Sequence, residues 1–270
     1  MPVAVLVCEG GPQSPDVRTL SKILAGLCEV RPFGSKYGMG DRIKGMRQHL
    51  GPVVFGILDG DFQDLDQPAA GRPRDWIVEG QVFGWRWERK EIENYLLDPD
   101  VVSHALGMAA PPHATYEQLL DSARRRIAIY EAARTCLGLL QKQYRPLATS
   151  FGRPRGADNH KFPDALDEPS CRTELERTLR EHESSLASGS QRFESLLGEC
   201  SPNGSRFAGF LSYFAGKDLM WAIDQPLRQL GFNGCGVLRE RILLGIEATL
   251  DSAETWLPEW RALREAVTNA

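Results

Sequence analysis

The 270-residue chain lacks any close pair of cysteines. Its six, at 8, 28, 136, 171, 200 and 235, are never nearer than twenty positions. That spacing excludes a Cys-x-x-Cys redox or zinc motif, and the thiols are expected to be buried. The five histidines, at 49, 104, 113, 160 and 182, form no His-Glu-x-x-His pair, so a bound metal would have to rest mainly on carboxylates. No Walker A loop, Gly-x-Gly-x-x-Gly turn or Gly-x-Ser-x-Gly elbow occurs, which removes the usual support for a P-loop nucleotidase, a dinucleotide enzyme or an elbow-type hydrolase. Long apolar runs are missing too. The first, Val3 to Cys8, has no basic segment before it and stops at Glu9, too short for a signal peptide or a membrane span, so a cytoplasmic protein is expected.

What is present is the balance of a folded protein: 42% hydrophobic and 25% charged residues, with six Trp and eleven Phe. The length suits one large domain, or a compact domain with a second lobe, and no repeat of 20 to 50 residues appears. The net charge of -4 is unevenly spread. Between Ala123 and Lys161 nine bases face two acids. This basic island holds Arg124, Arg125, Arg126, Arg134, Lys142, Arg145, Arg153, Arg155 and Lys161, interleaved with Tyr144 and Phe151. Such a mixture suits nucleic-acid phosphates and exposed bases, and equally suits a solvated helix face with a basic loop.

The chain opens as strand, helix, strand, helix, strand. Val3–Cys8 reads as a buried strand, Ser14 and Pro15 open a helix with Val17, Leu20, Leu24 and Leu27 on one face, and Cys28–Arg31 is a second strand. A glycine-rich loop from Gly34 to Gly40 leads into a helix from Asp41, with Ile43, Met46 and Leu50 facing inward, and Val53–Leu58 is the third strand. This alternation predicts an α/β fold with a parallel sheet whose strand ends share one edge, where ligands bind. After a Pro/Asp-rich loop from Gln63 to Asp75, Val82–Trp87 adds a strand. Helices dominate from Asp98, the longest opening at the capping box Thr115-Tyr116-Glu117-Gln118 and running to about Tyr144. Pro146–Pro169 is expected to be a mobile loop. Trp256 and Trp260, on a short amphipathic stretch, either offer a docking or homodimer face or close the core.

Glu9 follows the first strand, and Asp59 and Asp61 follow the third in Leu58-Asp59-Gly60-Asp61. The topology brings all three to one edge, and hard oxygen donors so grouped suit Mg²⁺ or Mn²⁺. The alternative is a plain Asp-Gly turn with Glu9 capping a helix. In Glu91-Ile92-Glu93-Asn94-Tyr95-Leu96-Leu97, Glu91 and Glu93 share one side of an extended segment and could hold a second ion, or could be neutralised by Arg89 and Lys90. Lys217, in Gly216-Lys217-Asp218-Leu219, reads by itself as a helix-end lysine.

Together these strings resemble the TOPRIM nucleases, most nearly the small stand-alone TOPRIM proteins that accompany ABC-type ATPases in bacterial phage defence and are related to the TOPRIM half of OLD-family nucleases. The resemblance covers Val3 to about Leu97, with Gly216–Leu219 matching a later lysine motif. It implies a TOPRIM-like Rossmannoid parallel sheet flanked by helices: a catalytic core at 1–97, a mostly helical insertion carrying the basic segment at 98–215, and C-terminal helices at 216–270 completing the core. It further implies metal-dependent hydrolysis of DNA or RNA, tRNA included, under the control of an ATPase partner. Glu9 would be metal ligand or general base, Asp59 and Asp61 metal ligands, Glu91 and Glu93 the second ion's ligands, and Lys217 a counter-charge near the phosphate. The family commonly carries an acid four residues after the first Glu; this chain has Gln13 there, and the next acid is Asp16. Arg124, Arg125, Arg126, Lys142, Arg145, Arg153, Arg155 and Lys161 would face the nucleic acid. Two other readings are a receiver-like phosphoacceptor and a non-catalytic adaptor that docks an ATPase.

Overall fold

Residues 2–62, 71–141, 147–156, 159–181, 186–250 and 252–270 are described by the computed structural model. The first apolar run forms β1 (Val5–Cys8), all four residues buried. Ser14 then caps α1 (Pro15–Ile23) by accepting from the Val17 N–H, with proline in the first turn where its missing donor costs nothing. β2 (Glu29–Pro32), α2 (Met39–Leu50) and β3 (Val54–Leu58) follow, then β4 (Arg74–Val78) and β5 (Gln81–Arg86). The sheet runs β2-β1-β3-β5-β4, with β2, β1, β3 and β5 parallel and β4 antiparallel at the edge. Val5, Val7, Val54, Leu58 and Phe83 pack with Met39, Ile43 and Met46 of α2 in one buried cluster. Leu50, expected inward, is exposed at 47%, because it is the last residue of its helix. At the β3–β5 seam Gly84 adopts φ +150, and a Cβ there would lie 1.8 Å from the Gly56 carbonyl oxygen. This close approach needs a residue without a side chain.

Past the sheet come α3 (Ile92–Leu96) and α4 (Pro99–Leu106). The Glu91–Glu93 segment is thus not extended. Asn94 Oδ1 accepts from the Glu91 N–H at 2.9 Å in a reciprocal capping box, and that local closure starts a helix at Ile92 despite the alternating sequence.

The chain divides into two compact units. One comprises Met1–Asp61, Asp66–Ala110 and Arg239–Ala270; the other comprises Phe62–Leu65 and Pro111–Leu238. The second is helical and is built on the 29-residue α5 (His113–Gln141). From Tyr130 to Leu140 every residue of α5 is buried, the polar Glu131, Arg134 and Thr135 included, with α6 (Glu168–Glu181), α7 (Leu186–Cys200) and, after α8 (Ser205–Ala208) and α9 (Phe210–Tyr213), α10 (Gly216–Gln229) against it. Within 146–169, expected as a loop, β6 (Arg153–Arg155) and β7 (His160–Phe162) form a short antiparallel ladder. Tyr130 meets Phe151 and Phe162 edge-on, and this aromatic contact orders the segment.

Beyond α11 (Cys235–Ala248), α12 (Pro258–Asn269) completes the sheet unit. Arg18 of α1 pairs with Glu240 and Glu247 of α11 at 2.8 and 2.6 Å, and a Cβ on Gly245 would strike the Ala105 carbonyl oxygen, so this end of α11 lies close against α1 and α4. Trp256 and Trp260 offer no docking face: they are 8% and 0% exposed, the first stacked on His104 and the second beside Tyr95. Among the described residues no helix is long and apolar enough to cross a membrane.

Candidate functional site

Parallel strands put the residues that follow β1, β3 and β5 on one edge of the sheet. Glu9 Oε1 accepts from the Asp59 N–H at 3.4 Å, which joins the ends of β1 and β3. Asp61 sits at φ +50 with its N–H on the Lys90 carbonyl at 3.0 Å, and the Gly60 N–H meets the Arg89 carbonyl at 3.1 Å. The turn Asp59-Gly60-Asp61 is therefore held by backbone bonds to the strand-end segment beside it. Asp16 joins the group from the first turn of α1: a Cβ on Gly10 would lie 3.8 Å from its Oδ2.

Two cations at this edge went unnoticed in the sequence. Lys36, from the loop after β2, places Nζ 2.6 Å from Asp61 Oδ2, and Arg86, the last residue of β5, stands 3.8 Å from the same oxygen while donating to the Asp59 carbonyl at 2.9 Å. Topology was the available signal, since the loop after β2 and the end of β5 belong to the same sheet edge as Glu9. Paired glycine contacts fix that loop: Gly10 and Gly34 exchange backbone hydrogen bonds of 3.1 and 2.8 Å.

The charges leave a mark on their neighbours. Burial raises the Glu9 carboxyl above its ordinary range and the Asp61 charge raises it further, against the Asp59 N–H, Lys36 and Arg86, which pull it down. Burial also raises the Cys8 thiol, helped by the charges of Asp16, Asp59 and Glu9. Burial works against the Lys36 charge, but Asp61 outweighs it, and the ammonium is held above its usual value.

Glu91 is the N-cap of α3, and Glu93, buried, faces Arg239 at 3.8 Å. The pair expected to hold a second ion thus caps one helix and meets an arginine. Among the described residues no three His, Cys, Asp or Glu side chains are grouped as a formed metal centre. Mg²⁺ does not require one, because it commonly keeps its waters and binds through one or two carboxylates plus a substrate phosphate. Hard oxygens that repel one another, as Glu9 and Asp61 do, fit that demand.

Lys217 lies half-buried in the first turn of α10, in the helical unit. Its neighbour Asp218 is fully buried between Arg134 and His160, whose Nε2 is 2.6 Å from Asp218 Oδ1. The basic island is largely matched by local partners. Arg124 and Arg125 both pair with Asp121, Arg126 donates to the Ala222 carbonyl, and Arg153 and Arg155 share Asp164. Lys161 is exposed, while Lys142 and Arg145 lie outside the described residues.

Compared with known protein-family models and with curated protein sequences, the chain matches none.

Proposed function

We propose that this chain is a divalent-metal-dependent nuclease of the TOPRIM type that hydrolyses phosphodiester bonds in DNA or RNA, tRNA included, as the effector of an ATPase-controlled anti-phage system. The observation that carries the reading is the joining of Glu9 to Asp59 across adjacent parallel strand ends, with Asp61 and Asp16 beside them. Glu9, Asp59 and Asp61 would hold Mg²⁺ or Mn²⁺, which supplies water activation and stabilises the leaving oxygen. Glu9, joined to the Asp59 N–H at the strand ends, would serve as metal ligand or as the general base that takes the proton of the attacking water. Arg86, bonded to the Asp59 carbonyl, gives fixed positive charge beside these acids. The roles of Lys217, Glu91 and Glu93 in catalysis and the ATPase partner rest on the family resemblance.

A receiver-like role is disfavoured by the sheet. Its order, with β4 antiparallel and outermost, departs from the 2-1-3-4-5 parallel order of that fold. The test is to incubate the purified protein with labelled DNA and bulk tRNA in Mg²⁺ and in Mn²⁺, alone and with any ABC-type ATPase whose gene adjoins its own. Metal-dependent cleavage that disappears in Glu9→Gln and Asp59→Asn is expected; the same cleavage by both variants would overturn the site.

A further inference from the structure

The loop between β2 and α2 brings two adjacent side chains to the acidic edge. Lys36 Nζ contacts Asp61 and lies 5.7 Å from the centre of the Tyr37 ring, which is 56% exposed. We propose that this loop grips the substrate: Lys36, together with Arg86, binds a phosphate group of the nucleic acid, and Tyr37 stacks on an unpaired base next to it. The proposal rests on the nuclease reading above and narrows its substrate to single-stranded or locally unpaired nucleic acid, because a base inside a duplex cannot reach an aromatic face.

Four features support the assignment. The Lys36–Asp61 pair is partly exposed, 31% and 30%, so a phosphate arriving from solvent can reach the lysine head. Lysine carries a compact charge on a flexible stem and can leave one oxygen for another, whereas Arg86 is tethered to the Asp59 carbonyl and stays in place. The foot of the loop is pinned by the Gly10–Gly34 bonds, so Lys36 and Tyr37 are presented from a fixed base beside Glu9. An exposed tyrosine next to a lysine also matches what single-strand binders use, a ring for the base and a charge for the backbone.

The arrangement has a corollary. Lys36 is the nearer of two cations on Asp61, and a divalent ion held there would release the lysine toward phosphate. Lys36 and a metal ion therefore compete for one carboxylate.

The experiment uses the whole protein and two readouts apart from cleavage. Mn²⁺ binding is followed by electron paramagnetic resonance. Binding of a fluorescent single-stranded oligonucleotide and of its duplex is followed by anisotropy in Ca²⁺. Lys36→Met is expected to bind the single strand about tenfold more weakly while binding Mn²⁺ more tightly, and Lys36→Arg to restore much of the strand affinity. Tyr37→Ala is expected to lose about tenfold for the single strand, with duplex and Mn²⁺ binding unchanged. Wild-type protein that binds Mn²⁺, with both variants holding the strand as tightly as it does, would overturn the loop's role and leave the nuclease reading standing. Absence of Mn²⁺ binding in wild type and in Lys36→Met alike would sink both.

Discussion

Glu9 Oε1 and the backbone N–H of Asp59, fifty residues apart in sequence, meet at 3.4 Å where two parallel strands end. The contact turns two separate acidic strings into one site. It also leaves Glu9 and Asp61 repelling each other in a half-buried place, an arrangement that works against folding and so points to a use.

Glu9→Gln removes one of the repelling charges and keeps an acceptor for the Asp59 N–H. The variant is expected to melt no lower than wild type while losing cleavage roughly 100-fold or more. Thermal melts and cleavage assays on the same preparation check this, and a variant that unfolds early would show Glu9 to be structural.

Glu259 should make stability depend on pH. The Glu259 carboxyl, 5% exposed, is pushed up by burial from 4.5 to about 7, against the hydrogen bonds it accepts from the Tyr95 hydroxyl and the Glu88 N–H. The native state therefore keeps a proton that the unfolded chain releases near 4.5. Stability falls as pH rises from there to about 7, and above that the full cost, about 3 kcal/mol, is in place. Glu259→Gln should flatten this part of the profile. Denaturant titrations between pH 4.5 and 8 that stay parallel for the two proteins would refute it.

Asp218 acts in the opposite direction. Although burial opposes its charge, Arg134 and His160 hold the carboxyl well below the ordinary range. Its stabilising effect is present above the unfolded carboxylate pKa and is lost as pH falls below it. Asp218→Asn leaves Arg134 buried opposite a neutral group and is expected to cost about 3 to 5 kcal/mol at neutral pH. The deficit should shrink in acid, as urea titrations at several pH values will show; a neutral-pH loss under about 1 kcal/mol would mean that the pair adds little.

Asp121 holds both Arg124 and Arg125. If these arginines contact phosphates, Asp121→Asn should tighten nucleic-acid binding and steepen its fall with salt, since each added phosphate contact raises the logarithmic slope by about one. Binding isotherms at four salt concentrations decide the point. Identical slopes would assign this helix face to something other than nucleic acid.

The sheet was legible where local signals agree. Val5–Cys8, the Ser14-Pro15 cap and the run ending at Leu58 each carry their own pattern of burial or capping. β4 was hidden because Arg74-Asp75 closes a polar stretch that looks like a loop, and its strand character comes from pairing with β5. Glu91 and Glu93 misled because alternation was visible in the sequence and the Asn94 cap outweighed it. Lys36 and Arg86 needed a third dimension: neither lies in an acidic motif, and only strand order brings them to Asp61. The basic island showed its charges but not the partners: Asp121 lies just outside the counted stretch and Asp164 just past its end.

The partners of the Trp87–Leu97 segment bear on how the protein comes into being. Glu88 and Tyr95 bond to Glu259, 171 and 164 residues later, and the Val3 N–H donates to the Val267 carbonyl. A ribosome releases these groups in order, so the strands bearing Glu9 and Asp59 emerge long before the helix that secures the segment beside them. A nascent chain, or one truncated before Leu257, lacks that closure. The segment beside Glu9 and Asp59 is thus secured only once Glu259 and Val267 have been made.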